Sequence, residues 1–413
     1  MKMRKLLFGM AGALALASPG LATPDLFALK VRNAESVSQG TIEHAVILIE
    51  DGKILTIGQD LEIERGIPVV DRTDLVVTPG FVDCYSRMGM SGSGPSGTFP
   101  WLKATTELSP RQGVYNELAE VGVTTLGLYT PGSGISGQAV AIDTSGSSAD
   151  EMVLSDSAYL KAVVRSNSSS RRMLEGAFEK VDKHHEAVEK AREKWEKDQE
   201  KWEKDNKKKD KDERDPEPGP FEAPEPDGVA GTMMKVLDGE LSMMFGIRKA
   251  ADYLHLQSFI EGREFEFSLR VPAVNDLDLW EVTDQIGELG LRVIMEPRLT
   301  TRAWTMRERN IPAELARAGA ELVLIPNGDS LGSAKRWRHD VGHLIKNGLD
   351  RDAALRAMTL GPAIELGVDE RLGSLDVGKD ANLLFFDGDP FQPTTNLVSV
   401  MVGGDFLDME DVR

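Results

Sequence analysis

The sequence predicts an α/β chain: a (β/α)8 barrel of the TIM type, a small β-sandwich domain built from both chain ends, and a charged helical insertion. Three observations lead there. Short apolar runs alternate with helical patterns through the middle of the chain, which is the pattern of parallel βα units. Runs of β-branched residues punctuated by tight turns occupy both ends. Between residues 171 and 229 the composition turns abruptly to Glu, Lys, Asp and Pro. The resulting boundaries are 1–22 for a leader, 23–77 and 373–413 for the two parts of the β domain, and 78–372 for the barrel, with 171–229 inserted in it.

Lys2, Arg4 and Lys5 precede the apolar run Leu6 to Ala17, and small residues place cleavage after Ala17 or after Ala22. The run is short for a bilayer span. A soluble bacterial protein, periplasmic or secreted and without a membrane span after cleavage, is the expectation. A formal charge of -19 argues against a nucleic-acid partner, which needs a basic face. With 413 residues, 41% of them hydrophobic, the chain can bury a large core. Cys84 stands alone, so no internal disulfide forms, and it reads as a buried strand-end thiol rather than a nucleophile.

In the β domain, Ala45 to Ile49 and Lys53 to Ile57 flank the turn Asp51-Gly52, a hairpin by turn chemistry. Val69 to Asp71 and Leu75 to Val77 continue the style, and Ala381 to Phe386 with Leu397 to Val402 match it at the other end. In the middle, Val123 to Tyr129 follows a helix ending near Glu120, and Leu291 to Met295 follows a helix from Leu277 to Leu289. Glu321 to Ile325 follows a helix from Pro312 to Ala318, and Arg351 to Met358 is a further helix.

The insertion repeats Leu174, Val181, Val188, Trp195 and Trp202 at heptad spacing, while Asp198 and Asp205 occupy the second apolar position of a coiled coil. Glu186/Lys190 and Glu200/Lys204 are i,i+4 pairs that support a solvated helix. PEPGPFEAPEPDG then ends the helix and returns as an extended linker. Two readings stay open: a solvated insertion, or a docking arm whose tryptophans meet a partner.

TPGFVD, Thr78 to Asp83, follows a β hairpin, and GLDRDAALRAMTLGPAIELGVDERLGSLDVGKDANLLFFDGDP runs from Gly348 to Pro390. Together they resemble the amidohydrolase superfamily, closest to its exported, imidazolonepropionase-like branch. The resemblance covers most of the mature chain and leaves out the insertion. It implies one or two divalent metals at the C-terminal ends of the barrel strands. The ligands would be two histidines on strand one, a carboxylated lysine or glutamate on strand four, histidines on strands five and six, and an aspartate on strand eight. Such a metal lowers the pKa of bound water and polarises a carbonyl.

Here the strand-one positions are Tyr85 and Arg87, and Phe245 stands where strand five would have histidine. Strand six, Phe265 to Ala273, has no histidine, and Lys161 lies at the start of strand four, the wrong end for a ligand. Asp329 fits the strand-eight aspartate with one residue of slippage, Gly328 being the strict-register alternative. Arg87 has no lone pair to offer. A fixed charge about 4 Å from a metal costs on the order of 4 kcal/mol per unit charge at an effective dielectric near 20. His339 and His343 share a helix face but lack a third ligand.

The glycine loops Gly89 to Gly97 and Pro131 to Gln138 are flexible lids or, beside Arg87, anion-binding loops. The candidate pocket residues are therefore Tyr85, Arg87, Phe245, Arg248 and Gln138, with Asp329 catalytic in a working hydrolase and no metal ligand assigned. The leading expectation is an amidohydrolase-like barrel without metal-dependent hydrolysis, a binding or partner subunit in a homo-oligomer or beside an active amidohydrolase. The alternative is a hydrolase of non-peptide C–N bonds, in cyclic amides or dipeptide-like substrates, with zinc or another divalent metal in an atypical site. A third reading has Arg87 pairing a small acidic ligand without metal.

Overall fold

The structure, a computed structural model, describes residues 24–110, 113–208, 210, 215–302 and 304–407. The leader expected over residues 1–22, with cleavage expected after Ala17 or Ala22, lies outside the described residues. Among them, no helix is long and apolar enough to cross a membrane. The chain is a mixed α/β fold of two compact units: the described residues of Met1–Gly80 with Glu370–Arg413, and Phe81–Asp369.

The first unit is one eight-stranded sheet. Leu26–Glu35 lies between Ala45–Glu50, antiparallel to it, and Val69–Pro79, parallel to it. Leu383–Phe386 then pairs with Val69–Pro79, so the two chain ends share one set of ladders. Phe27, Leu29, Ile47, Ile49, Leu383, Phe385 and Met401 form its core. The Asp51-Gly52 turn has φ of 49° and 75°, both left-handed, as a two-residue hairpin loop of this hand requires. A side chain at Gly52 would stand 2.4 Å from the Gly403 carbonyl oxygen, so glycine is needed there twice over. The expected sandwich differs from this arrangement, because continuous pairing from Lys53–Gln59 to Asp405–Phe406 makes a single sheet.

The second unit holds a four-stranded and a seven-stranded sheet. In the larger, Tyr159–Val163, Ser242–Gly246, Phe267–Arg270, Arg292–Met295 and Glu321–Leu324 run parallel in sequence order. Helices Gly228–Leu237, Ala250–Ile260, Thr283–Glu288 and Ile311–Ala318 connect them. In the smaller, Phe81–Ser86 pairs in parallel with Val123–Leu128, every residue of which is buried, as in a strand covered on both faces. Among the described residues no pairing joins these two sheets. The predicted sixth strand is shorter than Phe265 to Ala273, because the Phe265 ring packs 5.7 Å from Phe178 of the inserted helix instead of extending the ladder. The helix expected from Leu277 to Leu289 is a short 3-10 turn, Leu279–Glu281, and then Thr283–Glu288. Its first residues are diverted, with Asp276 at φ 63° and Asp278 accepting a 2.8 Å hydrogen bond from the Ala250 N–H.

The insertion is one helix, Ser168–Asn206, about 58 Å long at 1.5 Å per residue. Leu174, Ala177, Phe178 and Val181 bury its first turns. Farther along, exposed pairs such as Glu186–Lys190 at 3.4 Å and Glu200–Lys204 at 3.7 Å line it. The tryptophans have an internal use: Trp195 Nε1 donates to the Gly219 carbonyl at 2.7 Å, and Trp202 Nε1 to that of Asp215 at 2.8 Å. Phe221 meets the Trp195 ring edge-on at 6.1 Å, and Arg192 lies 5.0 Å over Phe221. The proline-rich return is thus stapled to the helix by indole donors that its carbonyls satisfy. Replacing both Trp195 and Trp202 by Ala should release residues 215–221, raising their amide exchange and protease sensitivity. Global stability should shift by no more than about 0.5 kcal/mol, the range for surface positions, and unchanged protection of that segment would contradict the stapling role.

Candidate functional site

The site lies at the C-terminal ends of the parallel strands of the second unit, where a cavity of about 460 Å3 opens. Tyr85 and Arg87, from the end of Phe81–Ser86, line it with Tyr129, Lys161, Arg165, Arg248 and Arg270. Five cations thus face one space, and no Asp or Glu is among its lining residues.

Arg87 is clamped from three sides. Its guanidinium donates to the carbonyls of Tyr129 at 3.1 Å and Gly92 at 3.2 Å, and reaches Glu107 at 3.5 Å. Asp329 holds the backbone beneath it, accepting from the Arg87 N–H and from the Ser86 hydroxyl, both at 3.1 Å. Asp329 therefore meets the end of the first strand, while Gly328, at φ 108°, is the turn that presents it. Tyr85 stacks on Tyr129 with centroids 4.0 Å apart. Burial raises the Tyr85 phenol above its ordinary value, opposed by Arg270, whose guanidinium lies 5.0 Å over the ring. A phenolate ligand is less available here than in water.

Lys161 corrects the sequence reading. It sits mid-strand in Tyr159–Val163, yet its long stem carries the ammonium into the cavity. There it donates to the carbonyls of Thr130 at 3.0 Å and Gly132 at 3.2 Å and to the Ser136 hydroxyl at 3.3 Å, and lies 4.8 Å over the Tyr129 ring. Burial, and then the Arg87 charge, lower its pKa to about 8. No carboxylate neutralises it. Arg165 also meets only carbonyls, those of Val164 and, at 2.9 Å, Gly246. Burial and the neighbouring Arg248 charge lower its pKa, opposed by the Asp252 carboxylate. Arg270 has the closest carboxylate of the five, a two-pronged pair with Glu296, which also accepts from the Ala273 N–H at 2.8 Å.

Two predicted pocket residues do not reach the cavity. Phe245 is fully buried, its ring 5.8 Å from Phe267 and 6.4 Å from Phe265, because the strand's alternation turns it into the core and leaves Gly246 toward the opening. Gln138 is spent on structure: its amide N–H donates to the Pro100 carbonyl at 2.9 Å and its oxygen accepts from the Ser157 hydroxyl. Arg248 does line the cavity. Cys84 is buried, and burial pushes its thiol well above the usual range, which keeps it protonated. Sequence reasoning missed Tyr129, Arg165 and Arg270. A usable signal was present, since Arg165, Arg248 and Arg270 each stand at or just past the end of a successive parallel strand.

These residues do not fit a divalent metal. Among the described residues no three His, Cys, Asp or Glu side chains converge to hold one. The cavity offers ammonium and guanidinium groups, which have no lone pair to give and repel a cation.

A sequence profile described as the amidohydrolase family matches residues 330–407. Over that segment the chain is similar to the amidohydrolase family. An amidohydrolase structure from Thermotoga maritima MSB8 shares its fold with a TM-score of 0.69 at 20% identity, over 92% of this chain and 99% of that one. A prolidase crystallised with N-methylphosphonate-L-proline gives a TM-score of 0.52 at 12% identity, over 93% and 100%. A dihydroorotase of Citrifermentans bemidjiense is 42% identical over 51 residues, a match that spans 12% of either chain. The superfamily match therefore begins one residue past Asp329 and leaves out every residue that lines the cavity.

One buried carboxyl makes the site sensitive to pH. Asp83 is enclosed, and burial raises its pKa from 3.8 to about 7 against the opposing hydrogen bond from the Tyr85 N–H, while Asp329 raises it further and Arg270 lowers it. Between those two values the folded chain keeps a proton that the unfolded chain has released, so stability falls as pH rises through that window. Asp83→Asn keeps the acceptor for Tyr85 and removes the buried charge. It should stabilise the protein at pH above about 7 by a few kcal/mol, and should flatten the fall between about pH 4 and 7 in denaturant titrations. An unchanged pH slope would show that Asp83 is not the group responsible.

Proposed function

We propose that this chain uses the amidohydrolase fold to bind a small acidic molecule and does not carry out metal-dependent hydrolysis. The observation that supports it is the cavity lining: Arg87, Lys161, Arg165, Arg248 and Arg270 face a space without a carboxylate in its wall. Arg87 replaces a ligand of the family with a forked donor suited to carboxylate. In this reading the two sheets of the second unit are the halves of one (β/α)8 barrel, and the cavity is its mouth.

The alternative, hydrolysis of C–N bonds, is favoured by one observation. Asp329 stands at the end of the first strand, bonded to Ser86 and Arg87, where an aspartate could pass protons. Two measurements separate the readings. After purification with zinc or manganese present, elemental analysis should find metal well below one equivalent, and cyclic amides and dipeptides should not turn over. Thermal-shift titration should show stabilisation by small monocarboxylates, and Lys161→Met should weaken their binding by about tenfold or more through loss of a charge beside the anion, since its three N–H groups are taken by Thr130, Gly132 and Ser136. Stoichiometric metal together with amide turnover would overturn the binding reading.

A further inference from the structure

A second cavity, of about 730 Å3, adjoins the first and is lined by Ser96, Thr98, Ser133, Arg165, Arg172 and Arg248 among others. The two share Ser133, Val163, Arg165 and Arg248 in their walls, so they form two lobes meeting at an arginine pair. No Asp or Glu lines the second lobe either. Among the described residues, the side chains of Arg172 and Arg248 have no carboxylate partner. Arg165 donates to carbonyl oxygens, which hold its position, and only the Asp252 carboxylate behind the backbone opposes its charge.

Cations therefore fall into two groups. Lys161 and Arg87 are electrostatically coupled in the inner lobe, and Arg165 and Arg248 are coupled where the lobes meet, with Arg172 beyond them. Each group holds more cations than carboxylates: Asp252 opposes the Arg165–Arg248 repulsion from the backbone side, and Glu107 pairs with Arg87 at 3.5 Å. Ser133 donates its hydroxyl proton to Ser96 at 3.0 Å, which leaves the hydroxyls of Ser96 and Thr98 beside the outer group to donate to the remaining lone pairs of an oxyanion.

Resting on the reading of the cavity as an acid-binding site, we propose that its ligand is an elongated dianion. One oxyanion sits between Lys161 and Arg87, the other among Arg165, Arg248 and Arg172, and an uncharged stem passes Val163 and Ser133.

The test is calorimetric titration of the full chain with linear α,ω-dicarboxylates from succinate to suberate, each beside the monocarboxylate of equal length. One dicarboxylate length should bind at least about tenfold tighter than its monocarboxylate, which is the worth of one added charge-assisted contact. Arg172→Ala, at an exposed position and checked for an unchanged melting temperature, should erase most of that difference. Dicarboxylates that bind no tighter than monocarboxylates at any length would overturn the dianion and leave the acid-binding reading standing. No binding by either series would overturn both.

Discussion

The charge on Arg87 is held where it is mostly by oxygen atoms that do not cancel it. Two backbone carbonyls take its donors, and a single carboxylate, Glu107, pairs with it at 3.5 Å. Asp329 binds the main chain of the same residue rather than its guanidinium. The acid that could have neutralised the cavity is thus used to fix the strand end. The same economy recurs at Lys161, which is ringed by carbonyl and hydroxyl acceptors, and at Arg165. Neutral acceptors orient a cation without discharging it.

The fold was legible because its signals are local. Turn chemistry identifies the Asp51-Gly52 hairpin, and alternation of apolar runs with helices identifies the parallel strands, each confirmed by pairing. The site was half legible. Tyr85, Arg87 and Asp329 come together because motif spacing fixes the end of the first strand. Phe245 and Gln138 were lost to parity and pairing: a strand's alternation decides which face a residue takes, and a single sequence leaves that parity open by one position. Gln138 also lies on a strand, Gly134–Gln138, where a glycine loop was expected, and its amide fills a gap between Pro100 and Ser157. Lys161 was misplaced for another reason. A backbone position near the wrong end of a strand says little about where a four-carbon stem delivers its charge.

The superfamily match and the cavity occupy different parts of the chain. Residues 330–407 carry helices and the returning β strands, whose apolar spacing and glycine turns serve packing. The cavity is built from strand ends earlier in the chain, where a side chain can change without disturbing a core. Likeness in the first region therefore says little about chemistry. Structures at 20% and 12% identity carry the same limit, since a fold hosts unrelated activities and function must be argued from the site.

A net charge of -19 around a cationic cavity looks self-defeating for an acid ligand, yet distance and solvent decide otherwise. Surface carboxylates act through water and salt, where fields decay over about 8 Å at physiological ionic strength. The cavity cations act at contact, partly buried, where screening is weak and the effective dielectric is low. The acidic exterior thus adds a shallow, screened repulsion on approach, while an anion in the proposed site would meet several weakly screened cations. Selectivity follows from the same contrast. A macromolecular polyanion would face the exterior field over its whole length, whereas a small acid that fits within the cavity leaves that field behind as it enters.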